Sequence, residues 1–193
     1  DLIIGTQVVS KGHHFPHLPL VGVIDADLGL AGGDLRAGER TFQLLSQVAG
    51  RAGREERPGQ ALLQTYFPEH PVMQAMVTGQ RKTFIASELD SRREHGMPPF
   101  GRLAAVIVSA DDEYSAQRVA QDIGKSAPRL NGATVLGPAV APLALLRGRY
   151  RQRLLVKMSR GLDLQAFIRG WLKRIRSPKN VRIQIDIDPY SFL

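Results

Sequence analysis

Tyr150-Arg151-Gln152-Arg153-Leu154-Leu155-Val156-Lys157-Met158 is the stretch that decides the fold of the second half of the chain. Leu154, Val156 and Met158 alternate with Arg151, Arg153 and Lys157, the period of two expected of a strand with one buried and one open face. Working outward, Leu103 to Val108 and Ala133 to Leu136 read as two more strands. A fourth runs through Val181, Ile183, Ile185 and Ile187, which alternate with Arg182, Gln184, Asp186 and Asp188. Asp112 to Gly124 reads as a helix, with Ala116, Val119, Ala120 and Ile123 at i, i+3, i+4 and i+7. Leu164, Phe167, Ile168, Trp171, Leu172 and Ile175 make a second amphipathic helix. The order is β-α-β-β-α-β, which predicts a ferredoxin-like α+β domain over residues 100–193.

Upstream, Met97-Pro98-Pro99-Phe100 is the expected domain boundary, preceded by a polar helical connector over 70–99 that breaks at Gly79. Residues 1–69 read as an α/β layer. Leu2-Ile3-Ile4 and Leu20-Val21-Gly22-Val23-Ile24 are expected to be strands buried on both faces, as in a parallel sheet. Gln60 to Tyr66 is a further strand after the breaker Pro58-Gly59. A helix from about Arg36 to Ala49 turns Phe42, Leu45 and Val48 or Ala49 inward. The opening Asp1-Leu2-Ile3-Ile4-Gly5 reads as the middle of a strand, so the chain is expected to continue upstream.

Charge separates the two halves. The whole chain holds 26 Lys/Arg and 18 Asp/Glu; residues 1–100 take 10 and 11 of them, leaving 16 and 7 for residues 101–193. The entire basic excess therefore lies in the second half, pointing to an anionic partner there, nucleic acid first, or to a solvated basic surface. With no cysteine, disulfides and thiolate metal sites are excluded. No apolar run reaches the roughly 20 residues a membrane span needs, and the expected location is the cytoplasm.

The sharpest chemical signal is Gln47-Val48-Ala49-Gly50-Arg51-Ala52-Gly53-Arg54. Two arginines three apart share one face of a helical turn. Gly50 and Gly53 let a ligand or another backbone approach closely. A forked, permanently charged guanidinium suits the charge that builds on a γ-phosphate during transfer. The second signal is Ile4-Gly5-Thr6-Gln7-Val8-Val9-Ser10-Lys11-Gly12-His13-His14-Phe15-Pro16, whose small polar residues after a strand could hold a DNA phosphate. The first resembles motif VI of superfamily 2 helicases and the second resembles motif V, in the order and at the spacing of a RecA-like second motor lobe. His13 and His14 are not read as a metal pair, because adjacent side chains diverge. Gly124-Lys125-Ser126 is not read as a phosphate loop either, since Val119 stands where that loop needs glycine; it reads as a helix C-cap and turn.

A finer resemblance is to the primosomal N′ (PriA) family of replication-restart helicases. It is carried by Gly5-Thr6-Gln7 through Pro16, by Asp25-Ala26-Asp27, and by Asp34-Leu35-Arg36-Ala37-Gly38-Glu39-Arg40. Gln64 to Pro71, Met97 to Phe100 and the closing Ile185-Asp186-Ile187-Asp188-Pro189 extend it over essentially the whole chain. The resemblance implies an ATP-driven 3′-to-5′ DNA helicase that recognises stalled forks and starts reloading of the replicative helicase. It implies that Arg51 and Arg54 contact ATP phosphates with Gln47 beside them, and that Gly5, Thr6, Lys11 and Gly12 couple the DNA track to the nucleotide. The family's phosphate loop and Mg²⁺ box lie upstream, as do its zinc-ligand cysteines, so no metal is assigned to this chain. Primosome proteins and single-stranded DNA-binding protein are the partners implied, with the protein itself a monomer. A fork-binding scaffold that never hydrolyses ATP is the alternative.

In the basic half, Arg147, Arg149, Arg151 and Arg153 project from one side of an extended segment, with Tyr150 among them. Arginines on phosphates and an aromatic for base stacking would suit branched or single-stranded DNA. The same series also suits a charge-guarded edge strand or a docking surface.

Overall fold

The computed structural model describes residues 2–5, 18–30, 34–52 and 59–189, which form two compact units, 1–88 and 89–193. In the first unit, β1 (Leu20–Val23) pairs in parallel with β2 (Gln60–Leu63), Leu20 opposite Gln60 and Val23 opposite Leu63. Helix α1 (Ala37–Ala49) lies between them in sequence. Helices α2 (Pro71–Thr78) and α3 (Arg81–Glu94) follow, separated at Gly79, whose φ of +67° is the left-handed conformation glycine adopts without strain. Pro71 at the first turn and the His70 ring, whose Nδ1 accepts from the Val72 N–H at 3.2 Å, fix the start of α2. The core comprises Ala26, Leu45, Val72, Met73, Ala75 and Phe84, with Phe42 stacked on Phe84 at 4.7 Å between centroids. Buried Asp27 ties the strand ends together, accepting from the Thr65 hydroxyl and the Tyr66 N–H, both at 2.6 Å.

Two expectations for this unit are corrected. Leu2-Ile3-Ile4 forms no strand, and all three side chains are exposed. Nor is β1 buried on both faces: its residues alternate between exposed and half-buried. Each described strand has a single partner, and a two-stranded sheet has too little neighbouring structure to cover both faces.

The second unit contains β3 (Gly101–Ala110), α4 (Glu113–Lys125), β4 (Ala133–Leu146), β5 (Arg149–Ser159), α5 (Leu164–Leu172) and β6 (Val181–Ile187). The sheet order is β4-β5-β3-β6, antiparallel throughout, the split βαβ arrangement that the element order predicts. Ala104, Val106 and Val108 of β3 and Leu154, Val156 and Met158 of β5 form the inner layer. Ala116, Val119, Ala120 and Ile123 of α4 and Leu164, Ile168 and Trp171 of α5 close over it. The Trp171 indole N–H donates to Ser126 Oγ at 3.1 Å, so its one polar atom is satisfied inside the core. Gly124 and Lys125 end α4 and Ser126 caps it. A Cβ at Gly124 would meet Pro138 Cδ at 3.1 Å, so the glycine serves close packing of helix on strand.

Strand β4 runs ten residues beyond the expected Leu136. Pro138 and Pro142 fall in the two stretches where its register with β5 shifts, between Leu136 and Ala139 and between Val140 and Leu145. An edge strand tolerates a residue without an N–H at such irregularities. Strands β4 and β5 meet in a two-residue turn at Arg147 and Gly148, with φ of +51° and +74°, the backbone signs of a primed hairpin turn. Residues 97–100 lie inside the second unit: the Phe100 N–H donates to Met97 O at 2.8 Å and the Arg93 guanidinium sits 4.5 Å from the Phe100 ring centre.

Candidate nucleic-acid interface

Helices α4 and α5 cover one face of the four-stranded sheet, and strand register fixes what the other face carries. Ser109 of β3 lies opposite Arg151 of β5 and Arg182 of β6. Ile107 lies between Arg153 and Gln184, and Ala105 between Leu155 and Asp186. Leu136 of β4 continues the Leu155 row, and Lys157 pairs with Leu103 and Thr134. Directly opposed residues share a face. The open face is thus an apolar floor of Ile107, Leu155 and Leu136 flanked by Arg151, Arg153, Lys157 and Arg182. The Arg151 guanidinium makes no hydrogen bond or ion pair among the described residues, whereas the Lys157 ammonium donates to His95 O at 3.0 Å. Arg182 was legible in the alternation of its strand, but Ile107 lies in an unbroken apolar run and Leu155 interrupts the Arg/Lys series, so only the register brings the three together.

Arg149 stands apart from its series. Its guanidinium pairs with Asp111, donates to Ser109 O at 3.0 Å and donates to Asn180 O at 2.7 Å. The side chain therefore binds three chain segments to one another, and its donors are turned inward rather than towards a ligand. Tyr150 is separated from the arginines by the same period of two that selects them: it packs against the helix-side core and lies opposite Ala110 and Leu145. Arginines and ring consequently do not share the open face. Arg147 is exposed at the hairpin tip, off the sheet face.

In the first unit, α1 ends at Ala49 and Gly50 caps it, its N–H donating to Ser46 O at 3.0 Å. Arg51 stands in the turn beyond, its N–H on Val48 O at 3.0 Å; its expected spacing with Arg54 lies outside the described residues. Gln47 lines an open hollow of about 500 Å³ together with Phe42, Ser46, Met76 and Arg81. Gly5 is exposed; Thr6, Lys11, Gly12, Gly53 and Arg54 lie outside the described residues, as do His13 and His14. Among the described residues no group of three His, Cys, Asp or Glu side chains could hold a metal ion, and no helix is long and apolar enough to cross a membrane.

Fold and site define a mixed α/β protein with a short parallel sheet in one unit and, in the other, an antiparallel sheet whose open face is basic. Residues 93–190 match the family described as Primosomal protein N C-terminal domain, and the chain belongs to that family. It is 45% identical over 192 residues to the replication restart protein PriA of Rickettsia conorii, covering 100% of this chain and 30% of that protein. Against the protein of the same name from Bacillus subtilis it is 40% identical, covering 100% of this chain and 25% of the relative. Against that of Haemophilus influenzae it is 35% identical, covering 98% and 26%. The chain thus spans less than a third of the length of these curated relatives.

Proposed function

We propose that this chain is the C-terminal part of an ATP-dependent 3′-to-5′ DNA helicase that binds stalled or branched replication forks and initiates primosome assembly for replication restart. The observation that carries the reading is the open sheet face of a PriA-family chain, where Arg151, Arg153 and Arg182 flank the floor of Ile107, Leu155 and Leu136. Guanidinium groups attract phosphates, and an apolar floor offers unstacked bases a surface that water does not. Branched and single-stranded DNA are the ligands in this reading. Primosome proteins and single-stranded DNA-binding protein are the partners of the whole protein, which acts as a cytoplasmic monomer.

Residues 1–69 are, on the same reading, the closing part of a RecA-like second motor lobe, with 70–99 a helical connector and 100–193 the basic domain. The parallel β1–β2 pair with α1 between its strands in sequence supports this. Arg51 and Arg54 would face the charge that develops on the γ-phosphate of ATP, with Gln47 beside them and Gly50 and Gly53 allowing close approach. Gly5, Thr6, Lys11 and Gly12 would hold the DNA strand that this nucleotide site drives. Gln47 and Arg51 offer an amide and a guanidinium, which fits a contribution to a site whose phosphate cradle and Mg²⁺ ligands come from an upstream lobe. Zinc, in this reading, belongs to the upstream part as well.

Two measurements test the motor. The 193-residue chain alone should hydrolyse no ATP. In the full-length protein Arg54→Ala should lower turnover by roughly 10³-fold or more, the range for removal of an arginine finger, with DNA affinity changed far less. Near-normal turnover in that variant would remove the arginine from the mechanism, whereas absence of turnover in the full-length parent would favour the non-hydrolysing scaffold.

A further inference from the structure

Between Asp163 and Asp186 the chain carries Arg169, Lys173, Arg174, Arg176, Lys179 and Arg182 and no carboxylate. All six are exposed, and among the described residues none makes a side-chain hydrogen bond or ion pair. Arg182 faces the open sheet surface; the other five follow the outer side of α5 and the turn leading to β6. Surfaces ordinarily intersperse the two signs, and a one-sign patch repels itself until a counter-charge arrives.

The segment that carries these charges is held firmly. Leu172 and Ile175 pack against the core, and the N–H groups of Lys173 and Ile175 donate to Arg169 O and Leu172 O at 3.1 and 3.0 Å. Beyond them, the Val181 N–H closes a turn on Pro178 O at 3.0 Å, which presents Lys179 at its outside. Arg149 grips that turn through Asn180 O, and the Asn180 amide donates to Asp112 at 3.4 Å. The carboxylates that meet this turn and its Arg149 clamp are already engaged: Asp111 by Arg149 and Asp112 by the Ser115 N–H and Asn180.

What the patch lacks relative to the open sheet face is a floor. Phe167, Leu172 and Ile175, the apolar residues of the segment, are turned into the core, so bases would find nothing to lie on. A duplex needs no such floor: its bases are stacked inside, and it offers one phosphate charge per about 1.7 Å of axis.

We propose that Lys173, Arg174, Arg176 and Lys179 form a second phosphate-binding surface that holds a duplex DNA backbone, on the helix side of the domain, while the open sheet face holds the single strand. This rests on the DNA-binding reading above and deepens it: one domain takes two parts of a branched molecule.

The test uses the 193-residue chain with oligothymidylate and with the same strand attached to a duplex, by fluorescence anisotropy across a salt series. Lys173→Gln/Arg176→Gln/Lys179→Gln should weaken the tailed duplex at least tenfold. Its salt slope should flatten by about two to three units, at about 0.9 per duplex phosphate. Oligothymidylate binding should stay within about twofold. Lys173→Arg/Arg176→Lys/Lys179→Arg, which keeps every charge, should bind both like the parent. If the Gln variant holds the tailed duplex as tightly as the parent while Arg151→Gln/Arg153→Gln loses oligothymidylate, the second surface is overturned and the DNA reading survives. If the parent binds neither DNA, both fall. If the Gln variant keeps the duplex but loses binding of polyglutamate, the patch docks an acidic protein and the proposal is overturned.

Discussion

Arg149→Ala should unfold the second unit more easily without removing a DNA contact, and the size of the effect follows from its partners. The pair with Asp111 counts for little, because the carboxylate is 65% exposed and the guanidinium 21%; such pairs contribute about 0.2–1 kcal/mol. The bond to part-buried Ser109 O, at 3.0 Å, has a charged donor and contributes about 1.5 kcal/mol, the low end for such bonds. The bond to Asn180 O is exposed and contributes about half of that. The contact with Ser109 Oγ, at 3.5 Å, is at the limit of a hydrogen bond and adds nothing to the estimate. The sum is about 2.5–3 kcal/mol, which for a unit of this size lowers Tm by about 10–20 °C. The single tryptophan, Trp171, lies in the core of this unit, so its fluorescence reports that transition. Arg149→Lys should recover at most half, since one ammonium cannot span the fork's three acceptors. An unchanged Tm in Arg149→Ala, with single-strand affinity lost instead, would mean that Arg149 is a phosphate contact and that its bridging role is misassigned.

The remaining predictions concern the helices. Asp112 caps α4, and the Ser115 backbone N–H, followed by the Ser115 hydroxyl, holds its carboxyl below the ordinary value of 3.8. A lowered folded pKa means its stabilising effect is present above the unfolded value and is lost as pH falls through the folded one. Below about pH 4 the parent should therefore lose Tm more steeply than Asp112→Asn, and parallel acid profiles would exclude the cap as the cause. Trp171→Phe should cost about 2 kcal/mol in denaturant unfolding monitored by circular dichroism, about half for the lost bond to Ser126 and half for the void. Ser126 Oγ also bonds Ile123 O at 2.9 Å and is not orphaned by the change. A cost under about 0.5 kcal/mol would place Trp171 outside the well-packed core.

The long amphipathic elements were legible because many residues repeat one choice. Helix α4 presents Ala116, Val119, Ala120 and Ile123 to the core as its period predicts, and β6 turns Val181, Ile183 and Ile187 to the same side. The second half of β4 was hidden by Pro138 and Pro142, which read as breaks and sit instead at register shifts on a sheet edge. The hairpin was hidden because Arg147-Gly148 lacks the Asn-Gly signature of a primed turn, although its backbone has the required positive φ values. Strand parity separates Tyr150 from the arginine series, so reading the ring as a stacking partner overlooked the rule used to group the arginines. The inward turn of Arg149 could not be read at all, since Asp111 and Asn180 lie 38 and 31 residues away. For Leu2-Ile3-Ile4 the local pattern suggested a strand, but a strand also needs a partner, and local pattern carries no information about one.

The measurement that bears most directly on the central claim is the salt dependence of single-stranded DNA binding by the 193-residue chain, parent against Arg151→Gln/Arg153→Gln. Both side chains project from the open sheet face rather than into the core, so the variant should fold as the parent does. If that face grips phosphates, affinity should fall and the slope of log affinity against log salt should flatten by about 1.4 units, at about 0.7 per single-strand phosphate. Unaltered affinity and slope would contradict the account and make the basic sheet a solvated or docking face.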